Sequence, residues 1–188
     1  HWTVYPQSSH AETNTAVDLC LQDIRKALSQ GEYVVAAFAY ELGLYIHKID
    51  RPTAGDKKSH PLIQAWSFES YESLSKEGVD TFIENRISAL RPEAQVAGVA
   101  NLHFSINEEQ FKSDIETIQE YIRNGDTYQI NHTFRITGES YGDPLALYAR
   151  LRSRQPGRFG AFIASASNYI LSQSPELIIQ KLGGTLKA

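Results

Sequence analysis

Apolar residues recur along this chain at two periods, and the switches between them mark out its elements. Val17, Leu21, Ile24 and Leu28 fall four, three and four apart, which predicts one face of a helix. Gly31 then stands where a helix cap belongs. Tyr33 to Tyr40 is an unbroken run of apolar, β-branched and aromatic residues; it predicts a buried strand, extended by Glu41 to Ile46. Leu62 to Phe68 predicts a second strand. Val79, Phe82, Ile83, Ile87 and Leu90 give a helix that Pro92 closes, and residues 94–104 read as strand or irregular chain. Phe111, Ile115, Ile118 and Ile122 repeat at four, three and four, with Asn107 as N-cap, Glu108 and Glu109 in the first turn and Gly125 at the end. A strand from Thr127 to Gly138 follows. Asp143 and Pro144 open a helix whose buried stripe is Leu145, Tyr148 and Leu151. Phe159 to Ser165 and Tyr169 to Gln173 form a hairpin around Ser167-Asn168, and Leu177 to Gln180 is a last strand before the Gly183-Gly184 turn. Residues 1–11 are extended, and 50–61 form a surface loop carrying His60. The sum is an α+β fold: largely antiparallel β-sheets with packed helices.

Composition narrows the function classes. The chain has 188 residues, enough for one domain with a core. The formal net charge of -4, with both signs interspersed, offers no footprint for nucleic acid. No apolar run has the length of a membrane span, and HWTVYPQSSH lacks the pattern of a secretory signal. The expectation is a cytoplasmic protein with neither a nucleic-acid nor a membrane partner. Cys20 has no second cysteine to pair with and lies in a helical stretch among apolar residues, so it reads as a buried structural thiol. The chain starts at His1 and contains no methionine; it is expected to be part of a longer chain, a processed one, or a listing that lacks modified methionines.

Candidate chemistry concentrates in two places. In Asn124 to Thr133, NGDTYQINHT, a strand would turn Gln129, Asn131 and Thr133 to one side and Tyr128, Ile130 and His132 to the other. A face with two amides and a hydroxyl suits the orientation of a polar small molecule; a helix cap followed by an ordinary strand is the plainer account. Glu176 precedes Leu177, Ile178 and Ile179. On a sheet strand it would be partly desolvated, which raises a carboxyl pKa and makes a general acid or base; a surface-facing strand glutamate is the alternative. Arg150, Arg152 and Arg154 read as solvated complements to a helix C-terminus rather than an anion site. No glycine-rich phosphate loop, nucleophile elbow, HExxH motif or cysteine pair occurs.

Four blocks together carry a resemblance: GDTYQIN at 125–131, DPLALYARLR at 143–152, GAFIAS at 160–165 and YILSQSPELII at 169–179. In order and spacing they resemble the chorismate-utilising enzymes. GEYVVAAFAYELG at 31–43 and AWSF at 65–68 resemble the weaker N-terminal part of that family. On this resemblance 1–105 is the weaker N-terminal part and 106–188 the start of a chorismate-binding core. YQIN is closer to the aminodeoxychorismate branch than to the anthranilate branch; a non-catalytic binding module is a third possibility. The resemblance implies chorismate as substrate, Mg²⁺ as cofactor, ammonia from a glutamine amidotransferase partner, and Glu176 as the catalytic acid/base. Gln129, Asn131 and Ser174 are the candidate substrate-binding residues. It also implies a lysine in a PIKGT-type segment and metal-binding glutamates further on; neither set is in this sequence, and Lys187 lacks the PxKGT context. The family's sheets would then be completed by chain beyond Ala188, so the chain alone is expected to be inactive and to self-associate through exposed apolar surface. Gly157-Arg158-Phe159 replaces a proline-aromatic segment that borders a tryptophan pocket in several relatives, and arginine argues against that pocket here.

Overall fold

The computed structural model of the chain describes residues 1–49, 60–165 and 168–187. The chain divides into two units, His1–Ser73 and Leu74–Ala188.

In the first unit, helix α1 (His10–Ser29) begins where the Ser9 hydroxyl accepts from the free amide of Glu12 at 3.2 Å, satisfying a donor the helix leaves unpaired. It packs on a three-stranded antiparallel sheet in the order β1 (Trp2–Val4), β3 (Ile63–Phe68), β2 (Tyr33–Phe38). Central β3 is fully enclosed at Ile63 and Ala65, both 0% exposed. The core closes with Val17, Cys20 and Ile24 from the helix and Val4, Leu42 and Leu62 around them. The buried stripe of α1 is Thr13, Val17, Cys20, Ile24 and Ala27; Leu21 packs half-buried against the core, as expected, while Ala27 takes the place of Leu28. Small side chains let a helix approach a sheet closely, whereas hydropathy favours the larger neighbours; Leu28 is exposed. Burial holds the Cys20 thiol above its usual pKa, with Asp23 adding to the shift, as suits a structural thiol.

Two expectations for this unit are corrected. The 33–40 run forms an edge strand, not a buried one: among the described residues β2 pairs with β3 alone, and Tyr33, Val35 and Phe38 are exposed. Glu41 to Ile46 does not extend it but turns into the short helix α2 (Leu42–Ile46), which delivers Leu42 to the core. Of the expected 50–61 loop, only His60 and Pro61 lie within the described residues, and His60 is exposed.

The second unit is built from pairs. Helix α3 (Lys76–Ser88) is followed by a short α4 (Pro92–Gln95), with Pro92 at the first helical turn of α4. Strand β4 (Gly98–Phe104) pairs antiparallel with β5 (Ile136–Tyr141), the pairing shifting by one residue between Ala100 and His103. At that bulge Asn101 has φ 52, and its side-chain amide donates to Glu139 Oε2 at 2.9 Å. Between these strands lies α5 (Glu108–Asn124), capped by the Asn107 side chain, which accepts from the Gln110 amide at 2.8 Å, and ended by left-handed Gly125. Its predicted stripe is present but thinly covered, and no residue of α5 is fully buried. Helix α6 (Pro144–Arg154) is capped by Asp143 and buries Ala146 and Tyr148; Leu151, expected inside, is exposed. The hairpin β6 (Phe159–Ala164) and β7 (Tyr169–Ser174) forms as expected; Ser167 of its turn lies outside the described residues. A last hairpin joins β8 (Gln180–Leu182) to β9 (Thr185–Lys187).

Two further expectations fail here for one reason: among the described residues neither stretch has a ladder partner. Residues 127–135 are irregular, and the strand begins only at Ile136. Leu177–Ile179 is likewise not a strand, since β8 begins at Gln180; Ile178 is 90% exposed.

The turn into α6 is tightly constrained. Gly142 has φ +76, and a Cβ there would overlap the Val96 carbonyl and lie 2.6 Å from Ala97 Cα. The Asp143 amide donates to the Ala94 carbonyl at 2.8 Å. Gly142→Ala is therefore expected to destabilise the chain by at least about 2 kcal/mol, read as a lower urea midpoint; an unchanged midpoint would refute this packing. The many exposed large apolar side chains, Val99, Phe104 and Ile136 among them, also predict concentration-dependent self-association of the 188-residue chain. Sedimentation velocity checks this, and a single monomer species at ~100 µM, well above the micromolar range where such exposed surface associates, contradicts it.

Candidate functional site

The sequence points first to Gln129 and Asn131. Because 127–135 has no ladder, local hydrogen bonds shape it. The Thr127 hydroxyl donates to the Gln129 carbonyl at 3.0 Å, and Gln129 Nε2 donates to Asn131 Oδ1 at 3.4 Å. The two amides are thus neighbours, as expected, but by a local turn and not by strand alternation. Tyr128 is 91% exposed. The segment is anchored at Asp126, whose amide donates to the Tyr121 carbonyl at 3.0 Å, and at Arg135, which exchanges bonds with Ser105 at 2.8 and 2.9 Å.

Between those anchors lies a feature that the sequence reading passed over. His132 Nε2 donates to Asp114 Oδ2 at 3.0 Å, while Asp114 Oδ1 accepts from Gln110 Nε2 at 2.7 Å. The imidazole is 19% exposed and the carboxylate 33%. Phe111 stands edge-on to the imidazole at 5.4 Å, and His132 Nδ1 is buried without a hydrogen-bond partner. The signal available in sequence was slight: Gln110 and Asp114 are one helical turn apart.

Glu176 sits on the bend after β7, exposed, and not on a strand. The expected desolvation is therefore corrected: Leu177 to Ile179 form no sheet around it. Its main chain is held by Ser174, whose hydroxyl donates to the Glu176 carbonyl at 3.0 Å. Ser174 and Glu176 are thus joined to each other; among the described residues no hydrogen bond joins them to Gln129 or Asn131.

A cavity of about 750 Å³ opens between α3, α6 and the turn at Gly157-Arg158, lined by Lys76, Asp80, Glu84, Arg152 and Arg158 among others. Arg152 forms an ion pair with Asp80 across it. Arg150 donates to the buried Ala97 carbonyl at 2.8 Å, so two of the three arginines expected to be merely solvated hold the second unit together. The cavity reaches none of the four candidate residues, although its Gly157 rim lies against β7: a Cβ on Gly157 would sit 2.9 Å from the Ser174 carbonyl. Among the described residues no three His, Cys, Asp or Glu side chains converge on a point that would hold a metal ion, so no residue here is assigned to magnesium. No helix among them is long and apolar enough to cross a membrane.

The model of the chorismate binding enzyme family matches residues 5–188, and the chain belongs to that family. Among its relatives, aminodeoxychorismate synthase component 1 of Bacillus subtilis is 29% identical over 143 residues, covering 76% of this chain and 27% of that protein. The same-named protein of Klebsiella aerogenes is 31% identical over 102 residues, 50% of this chain and 23% of the relative. Anthranilate synthase component 1 of Neisseria gonorrhoeae is 27% identical over 113 residues, 60% of this chain and 23% of the relative. The chain therefore spans about a quarter of the length of these relatives. No solved structure matches it significantly.

The Asp114 carboxyl is held below the usual aspartate range, first by the Gln110 hydrogen bond and then by His132. A depressed carboxyl stabilises the fold above its unfolded value, ~3.9, and loses that contribution as pH falls through the folded value. The segment 127–134 is expected to loosen on acidification below about pH 4, seen as shifts of its amide resonances. Amides that stay unmoved down to about pH 2 would contradict it.

Proposed function

We propose that this chain contributes to an enzyme that aminates chorismate to 4-amino-4-deoxychorismate, the reaction class named by its Bacillus subtilis and Klebsiella aerogenes relatives. The observation that carries this reading is the family match across residues 5–188; the YQIN motif at 128–131 favours the branch. The reaction exchanges a ring hydroxyl for an amine, so a proton must reach the departing oxygen and another must leave the incoming nitrogen. Glu176 is the group proposed to carry both. Exposure leaves its carboxylate accessible to a ligand, and the Ser174 bond to its carbonyl fixes the main chain beneath it. Gln129, Asn131 and Ser174 are proposed to orient the substrate through their amides and hydroxyl. Ammonia would come from a glutamine amidotransferase partner. Magnesium belongs to the same reading as the ion that neutralises the substrate carboxylate, and no step here is routed through it.

Anthranilate formation is the second reading, favoured by the Neisseria gonorrhoeae relative. The two separate cleanly: with chorismate, ammonium and Mg²⁺, a protein of the relatives' full length that carries this chain is expected to consume chorismate without producing fluorescent anthranilate. Fluorescent product would transfer the assignment to the second reading. In that protein Glu176→Gln is expected to lower kcat by about 10²–10⁴-fold, and an unchanged kcat would remove Glu176 from the mechanism. The 188 residues alone are expected to turn over no chorismate, since they span about a quarter of such relatives.

A further inference from the structure

The segment that carries Gln129 and Asn131 has main-chain anchors at Asp126 and Arg135 and no strand to lie against. Between those anchors His132 is the residue whose side chain reaches helix α5 by a hydrogen bond, among the described residues. The bond is directional and supported. Asp114 has its second oxygen occupied by Gln110, one turn earlier on the same helix, so the carboxylate is fixed on both sides. Phe111 meets the imidazole edge-on at 5.4 Å and is itself met edge-on by Phe134, the two ring centres 6.1 Å apart. An apolar side chain at 132 would fill the same space against Phe111 but fix neither the rotation nor the height of the segment, because dispersion contacts are non-directional. With an ionised carboxylate as acceptor, Nε2 carries the proton of this bond, and Nδ1 is buried without a hydrogen-bond partner.

We propose that His132 is a positioning residue: clasped by Asp114, it fixes the main chain on which Gln129 and Asn131 are carried, and so sets the direction in which those amides meet a ligand. Asn131 is its immediate neighbour and Gln129 lies three residues before it, bonded to Asn131. The ligand part of this assignment rests on the chorismate reading above. The clasp itself does not. It ties an irregular segment to a helix with no buried residue, where ordinary burial does little to hold either in place.

The test uses isotope-labelled 188-residue chain at a dilution where it is monomeric, with Asp114→Ala, His132→Phe, their double variant and Asp114→Asn. Backbone order parameters of 127–134 are expected near the rigid value of ~0.85 in the parent chain and below about 0.6 in Asp114→Ala and in His132→Phe. The double variant is expected to lose nothing further, the signature of one shared interaction. Asp114→Asn keeps an acceptor for Nε2–H and is expected to recover most of the order. The imidazole nitrogen spectrum should show the Nε2–H tautomer in the parent and a mixture in Asp114→Ala. His132→Phe keeps the aromatic packing, so a role in packing alone predicts no loss there. Order that persists in both single variants overturns the clasp, as does a parent segment that is already mobile. Chorismate is then titrated into proteins of the relatives' full length that carry this chain and each variant. An affinity about tenfold weaker in both single variants, recovered in Asp114→Asn, supports the ligand part, and equal affinity with a loosened segment overturns it. A parent protein of that length that binds no chorismate removes the substrate reading, while the order parameters still decide the clasp.

Discussion

A β-ladder saturates its own hydrogen bonds but covers neither of its faces, and covering those faces is the constraint on which this chain depends. The first unit meets it in the simplest way. Three strands share one layer, α1 lies on it, and the central strand is enclosed so fully that Ile63 and Ala65 expose no surface. The described residues of the second unit form three separate two-stranded ladders, and such pairs are marginal without cover. Among its described residues the buried apolar side chains are few, with Ile83, Ala97, Ala146 and Tyr148 the larger part of them. Much of its organisation falls to specific polar contacts: Arg150 on the Ala97 carbonyl, Arg152 on Asp80, and Asp114 on His132.

That difference also decides what the sequence revealed. The caps at Asn107, Gly125 and Asp143 follow from local chemistry and stand where expected. The Tyr169 strand pairs with its hairpin partner for the same reason: the two lie close together in sequence. The failures involve partners distant in sequence. The 33–40 run has strand composition, but whether a strand is central or at an edge depends on which others join the sheet. Residues 127–134 and 177–179 have the residues of strands and, among the described residues, no strand that pairs with them. In α1 the choice between Ala27 and Leu28 turns on how closely the sheet approaches, which periodicity alone cannot weigh.

The candidate site was legible as motif more than as geometry. The paired amides at 129 and 131 are adjacent, and Ser174 does bear on Glu176, through its main chain. The environment ascribed to Glu176 depended on a strand that does not form, so its chemistry must be drawn from accessibility and a held backbone rather than burial. The arginines of α6 show the converse. Their spacing near a helix end looked like plain surface, yet Asp80 lies 72 residues before Arg152 and Ala97 lies 53 before Arg150, separations at which no local pattern signals a contact.

The bulge in β4 has its own effect on the faces of that ladder. Side chains on an unbroken strand alternate, so Val99 and Phe104, five positions apart, would point to opposite sides. Across the bulge the pairing advances three residues on β4 against two on β5, from Ala100 opposite Glu139 to His103 opposite Thr137. The alternation therefore reverses there. Val99 is opposite Ser140 and Phe104 opposite Ile136, so Val99, Phe104 and Ile136 come to one side. One left-handed asparagine thus gathers into a single apolar surface residues that a regular ladder would have divided between two.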